Sequence, residues 1–189
     1  NTVLFIKEPN SFHHVTYHQD ATYMGLEPQN SLTAWIALTE STCKNGCVRM
    51  IPGSHRLEIQ QHIDKFGKDN ILTRGQKIED VDEKHVLDIE LEPGQMSLHH
   101  ARTIHGSRPN RTKHRRIGIA LQSFAHPSTR QVHGQDYAML VRGSDDYGNF
   151  TKGPRPNAEV DLANVEFRNK VNARLSEILY AGAEKQREY

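Results

Sequence analysis

The triplet His18-Gln19-Asp20 has the types and spacing for metal chemistry. In an extended segment, residues i and i+2 project to the same side, so an imidazole nitrogen and a carboxylate oxygen can reach one centre. Taken alone, the triplet has a plainer alternative, a surface turn with a capping aspartate. A third ligand has to come from elsewhere in the chain. His105 is the candidate, because it follows a strand-like run over 96–104 and precedes Gly106-Ser107, where the chain must turn. Two histidines and one carboxylate on one face of a metal leave three positions open, which suits non-haem Fe(II) oxygen chemistry. Further along, Arg116 opens another strand-like run on the face opposite Ile117 and Ile119. From there its planar guanidinium could grip a carboxylate through two parallel, charge-assisted hydrogen bonds.

The elements that must position these groups are mostly strands. The β-branched and aromatic runs 2–6 and 32–38 read as strands, as does 46–51, entered through the Asn45-Gly46 turn signal. In 86–91, period two puts Leu87, Ile89 and Leu91 on a buried face and Asp88 and Glu90 on the other. Further strands are expected over 96–104 and 116–124. Between them, 57–84 reads as a polar helical or irregular excursion, and 144–157 as a Gly, Pro, Asp and Asn-rich loop. Within 165–180 a helical stripe of Val171, Leu175, Ile178 and Leu179 predicts a C-terminal helix. Short strands joined by turns, with one helix outside, point to a mainly β sandwich or barrel of the jelly-roll kind rather than a βαβ fold.

Composition narrows the function classes. At 189 residues the chain suits one domain. Lys+Arg 24 against Asp+Glu 23 leaves a net charge of +1, with no aromatic-interleaved basic groove, so nucleic acid is not an expected partner. The best apolar run, 34–38, is far short of a membrane span of about 20 residues. Cys43 and Cys47 are too few for a disulfide framework; the residues between them read as a hairpin turn, and a thiol redox role is disfavoured. A cytoplasmic location is the expectation. The chain begins at Asn1 without Met, already in a strand-like run, which suggests a start inside a domain.

With these residues in order, the sequence resembles the phytanoyl-CoA dioxygenase family of Fe(II)/2-oxoglutarate oxygenases. The resemblance is carried by His18-Gln-Asp20, Trp35-Ile-Ala-Leu, Asn45-Gly-Cys-Val-Arg-Met-Ile-Pro-Gly-Ser-His55, Pro93-Gly-Gln, Ile104-His105-Gly-Ser107 and Arg116, across roughly 5–124. It implies a double-stranded β-helix (jelly roll, cupin-like) with a C-terminal helix, forming one oxygenase domain over 1–189 that lacks an N-terminal segment of the full domain. It also implies that His18, Asp20 and His105 hold Fe(II), and that Arg116 pairs with the distal carboxylate of 2-oxoglutarate while Ser107 and Trp35 line the co-substrate site. The implied reaction consumes O2 and 2-oxoglutarate and gives a hydroxylated substrate, succinate and CO2. Family relatives that chlorinate carbon have a small residue where Asp20 stands, so Asp20 argues against a halogenase.

Two rival readings keep the same residues: a Zn-dependent hydrolase with an activated water, and a non-catalytic ligand-binding jelly roll. Gln19, between two ligands, and His99, which shares strand parity with His105, are candidate pocket residues. His55 is expected in a structural hydrogen bond, and His13, His14, His62, His85, His114, His126 and His133 as solvated rings. The cationic run from Arg102 to Arg116 reads as a solvated loop with one useful arginine. The polarity of 57–84 and 142–157 points to a small polar or anionic substrate; oligomeric state leaves no sequence signature.

Overall fold

A computed structural model describes residues 1–183. Its core is two four-stranded antiparallel sheets. The strands in chain order are β1 (Thr2–Lys7), β2 (Val15–His18), β3 (Ser31–Ala37), β4 (Val48–Met50), β5 (Leu87–Ile89), β6 (Met96–His100), β7 (His105–Ser107) and β8 (Arg116–Ala125). Sheet I runs β1-β8-β3-β6 and sheet II β2-β7-β4-β5. Neighbours within each sheet are distant in sequence, and this interleaving is the jelly-roll arrangement expected. A short helix α1 (Ala21–Met24) follows β2, and helix α2 (Leu162–Leu179) closes the described chain. No helix among the described residues is long and apolar enough to cross a membrane.

The sheets meet over a small core of Trp35, Ala37, Val48, Met50 and Ala120, against which Phe5, Ile89 and Leu91 pack. Trp35 dictates its neighbour in β8: a Cβ at Gly118 would overlap the indole ring, so only glycine lets the strand pass beneath it. The alternation read for β8 holds, with Arg116, Gly118 and Ala120 buried and Ile117, Ile119 and Leu121 less so. On the outer face of sheet I, Leu4, Leu32, Met96 and Leu98 are exposed.

Several elements depart from expectation. The run 96–104 is not one strand: β6 stops at His100, 101–104 form a turn with Thr103 N donating to His100 O (2.8 Å), and β7 begins at His105 in the other sheet. In β5, Ile89 reaches the core but Leu87, at its outer end, is 55% exposed. Asp88 on the opposite face pairs with the buried Arg49 at 2.8 Å. The excursion 57–84 contains no α-helix; it is irregular, with a ribbon pairing Ile63–Asp64 to Gln76–Lys77. Cys43–Asn45 form a 3-10 turn in place of a hairpin, closed by Gly46 at φ 80°, and both thiols are free. Within the predicted loop 144–157, Thr151–Lys152 pairs with Tyr137–Ala138.

Helix α2 starts three residues before its predicted bound. Its cap is Asp161, whose carboxylate accepts from Ala163 N at 3.0 Å and Asn164 N at 3.3 Å, the usual way to satisfy the first free N–H groups. Its predicted stripe faces inward, although Ile178 alone of the four is fully buried. All four line a large cavity beside sheet I.

Candidate metal centre

The centre is built where β2 and β7 run side by side. His18 and His105 are direct register partners, and their rings lie 4.2 Å apart between centroids. Each ring is oriented by the same local device. His18 Nδ1 lies 2.9 Å from Thr16 O, and His105 Nδ1 lies 2.9 Å from Thr103 O. A carbonyl can only accept, so in both rings Nδ1 carries the proton and Nε2 presents its lone pair. Burial, then the neighbouring His18, pushes the pKa of His105 down to about 3, which keeps that ring neutral and able to ligate at ordinary pH.

Asp20 supplies the carboxylate. Its Oδ1 lies 3.3 Å from His18 Nε2 and 3.8 Å from His105 Nε2. The ligand atoms of His18, Asp20 and His105 all fall within 4.8 Å of one another. Tyr23, one turn along α1, donates to Oδ1, and Thr33 Oγ1 donates to Oδ2 at 3.2 Å. Burial alone would raise the Asp20 pKa; the surrounding imidazoles, His105 foremost, outweigh it and hold the carboxylate ionised. Such outer partners fix a ligand's direction before any metal arrives.

The predicted residues separate into those the fold brings together and one it does not. His99 joins the site, its ring 4.6 Å from that of His105 and its Nε2 3.9 Å from Asp20 Oδ2. Both its ring nitrogens are buried without a hydrogen-bond partner. The strand parity that suggested this was wrong in its premise, since His99 lies in sheet I and His105 in sheet II. Trp35, Ser107 and Arg116 line the same cavity as the three ligands, while Gln19 does not. Gln19 is fully buried on the far side, its Nε2 donating to Arg102 O and its Oε1 accepting from Gln60 N, both at 2.8 Å. It is a clamp holding two loops behind the ligand segment.

Arg116 is 1% exposed and stacks on Trp35, with its guanidinium carbon 5.2 Å from the ring centroid. Burial lowers its pKa to about 10, leaving it cationic at neutral pH. Its Nε and Nη1 have no hydrogen-bond partner. Buried donors of this kind are rare unless a ligand completes them. Of the other cations of the run, Arg108 reaches Glu83 and Arg115 reaches Glu8, both in exposed pairs.

Sequence reasoning missed four contributors. Lys7 is completely buried and donates to Ser107 Oγ at 2.6 Å; its parity with Val3 and Phe5 in β1 was the available signal. Tyr23 and Thr33 hold Asp20, and only the position of Tyr23 one helical turn after Asp20 was visible beforehand. His62, expected in solvent, accepts from Gln19 N at 2.9 Å through Nε2, and its Nδ1 meets Gln60 O at 2.7 Å. No local pattern announces that contact.

The comparisons with known proteins agree with this geometry. The profile of the phytanoyl-CoA dioxygenase (PhyH) family matches residues 1–118. A phytanoyl-CoA dioxygenase of Arabidopsis thaliana is 31% identical over 144 residues, covering 76% of this chain and 44% of the relative. Among solved structures, the apo form of ThoJ, a non-heme monooxygenase, matches with a TM-score of 0.82 and 33% identity over 95% of this chain and 65% of that one. EvdO2 from Micromonospora carbonacea var. aurantiaca, complexed with 2-oxoglutarate, matches with a TM-score of 0.54 and 28% identity over 70% of this chain and 55% of that one. The chain thus spans less than half the length of the Arabidopsis relative. Since the family profile runs through β1–β7 and into the start of β8, taking in His18, Asp20, His105 and Arg116, the chain belongs to the phytanoyl-CoA dioxygenase family.

Proposed function

We propose that this chain carries the catalytic β core of an Fe(II)- and 2-oxoglutarate-dependent oxygenase that hydroxylates a small organic molecule, with succinate and CO2 as co-products. The observation that carries the reading is the pairing of a buried two-histidine, one-carboxylate cluster with a buried arginine whose Nε and Nη1 are unpartnered in the same cavity. A metal-bound acid with a distal carboxylate answers both at once. A zinc hydrolase would leave Arg116 without a role.

The residues fit these groups. His18 and His105 would hold the iron through Nε2 and Asp20 through a carboxylate oxygen, a donor set that suits Fe(II). When bound, iron and 2-oxoglutarate supply from O2 the oxidising power for C–H hydroxylation. Arg116 orients the co-substrate by gripping its distal carboxylate, and Trp35 fixes the plane of that guanidinium. Phe5, Val15, Val48 and Ala120 wall the cavity and exclude water. Asp20 stands where the chlorinating relatives implied by the resemblance have a small residue, which favours hydroxylation over halogenation. Both free thiols accord with a cytoplasmic location.

The substrate reading changes with the structure. The metal cavity shares Phe5, Tyr23, Leu72 and Gln122 with the neighbouring cavity of about 1220 Å³. Phe124, Leu140, Phe150, Phe167 and Leu175 contribute to its walls. Arg142 and Arg168 stand exposed among the residues that line it. This supports a bulky and largely apolar molecule, with room for an anionic group, over the small polar one suggested by loop composition.

The test is succinate release from 2-oxoglutarate by the purified chain with Fe(II) and O2, alone and with candidate substrates. Release that depends on iron and disappears in Asp20→Ala is expected. Hydrolytic activity restored by Zn(II), without succinate, would sink the reading.

A further inference from the structure

Lys7 closes β1 directly opposite Arg116 in β8, so two cationic side chains lie next to each other in the interior. Burial costs a charge heavily unless it is paired. Neither forms an ion pair with a carboxylate among the described residues; the titratable groups acting on Lys7 are Arg116 and the thiol of Cys47, which burial pushes up to about 12 and so keeps neutral. The other groups facing its amine are all acceptors: Ser107 Oγ at 2.6 Å, Gly46 O at 3.4 Å and Arg108 O. Three acceptors match the three N–H donors of an ammonium. Burial foremost, then Arg116, nonetheless pushes the Lys7 pKa down to about 6.

The contact with Ser107 links this lysine to the cavity. A hydroxyl that accepts at its oxygen has one proton left to give. Ser107 lines the cavity beside Arg116, whereas Lys7 sits behind it. We propose that Lys7 is a positioning residue of the co-substrate pocket, turning the Ser107 hydroxyl so that its proton meets the carboxylate held by Arg116, and supplying a second positive charge when that anion enters. The inference rests on the oxygenase reading and adds to it a residue that does not touch the co-substrate. A carboxylate arriving beside Arg116 favours the ammonium form of Lys7, so binding draws in a proton from solvent.

Calorimetry on the chain loaded with Ni(II) in place of iron tests this without turnover. Titration with 2-oxoglutarate at pH 7.5, in buffers of different ionisation enthalpy, is expected to show uptake of about one proton by the unmodified chain. Lys7→Met is expected to abolish the uptake and weaken 2-oxoglutarate about tenfold, equivalent to roughly 1.4 kcal/mol. It should leave 2-oxobutyrate, which chelates alike but lacks the distal carboxylate, unchanged. Ser107→Ala should weaken 2-oxoglutarate similarly, and the double variant little further, because the two residues act as one unit. Binding of 2-oxoglutarate without proton uptake by the unmodified chain overturns the proposal with no substitution needed. Equal weakening of both acids by Lys7→Met, or weakening of neither, also overturns it. Failure of the unmodified chain to bind either acid is the distinct result that removes the oxygenase reading, and this proposal with it.

Discussion

His18 and His105 meet as opposed residues of adjacent antiparallel strands, each ring tethered through Nδ1 to the carbonyl two positions before it. The sheet ladder itself therefore sets the spacing of the two candidate ligands, and the tethers set their tautomer. Replacing either ring removes a ligand without disturbing the backbone pairing. His18→Ala is expected to retain its fold by circular dichroism and to lose bound metal, counted by elemental analysis after dialysis. Loss should exceed the roughly 10–100-fold drop in affinity typical of removing an outer partner.

Tyr23 tests that outer role. Its hydroxyl donates to the Asp20 oxygen nearest both imidazoles. Tyr23→Phe keeps the ring and removes the donor, so metal affinity should fall by about 10–100-fold. Competition against a chelator measures it; unchanged affinity would show that Thr33 suffices.

Arg116→Gln removes the buried charge while keeping a planar, hydrogen-bonding end. Charge-assisted hydrogen bonds contribute roughly 1.5–3 kcal/mol each, so 2-oxoglutarate should bind at least about tenfold more weakly. Metal content should be unaffected. Co-substrate saturation curves and metal analysis on one preparation separate these effects.

Gly118 lies under Trp35, and even a Cβ there overlaps the indole. Gly118→Val forces the ring out of the core and is expected to cost about 1–3 kcal/mol, as overpacking does. Thermal unfolding would show a lowered midpoint, and Arg116 would lose the surface on which it stacks.

Lys7 makes stability depend on pH in a defined direction. Its pKa in the folded chain, about 6, lies below the ordinary lysine value of 10.5, so the unfolded chain binds more protons between these limits. Stability from this group is full above the unfolded pKa and is lost as pH falls toward the folded one. The metal-free chain should therefore become more resistant to urea between pH 7 and 9, by up to about 1.4 kcal/mol per pH unit. Lys7→Met should flatten that slope; a slope unaltered by the substitution would assign it to other groups.

Much of the architecture was open to reading because it is written in local alternation. The faces of β8 follow from period two over 116–121, which placed Arg116 opposite Ile117 and Ile119. The meeting of His18 with Asp20 does not rest on that period, because the strand ends at His18 and Asp20 already has helical backbone angles at the start of α1. Alternation says which side a residue faces but not where the chain changes sheets. That is why 96–104 read as one strand, and why the parity of His99 with His105 was an incorrect premise although the two rings lie close together.

Lys7, His62 and Gln19 mark the limit of such reading. Ligand types, their order and the family pattern rest on short-range spacing, which any chain carries in its residues. The burial of Lys7 against Ser107, 100 positions away, and the turning of Gln19 toward Arg102 and Gln60 depend on contacts between segments far apart in sequence. Burial, and the shifts in proton affinity that come with it, belong to the packed assembly of these segments, because desolvation is set by everything that surrounds a group. Folding thereby joined a candidate metal-binding cluster, an arginine with two unbonded nitrogens and a buried lysine into one cavity and its rear wall.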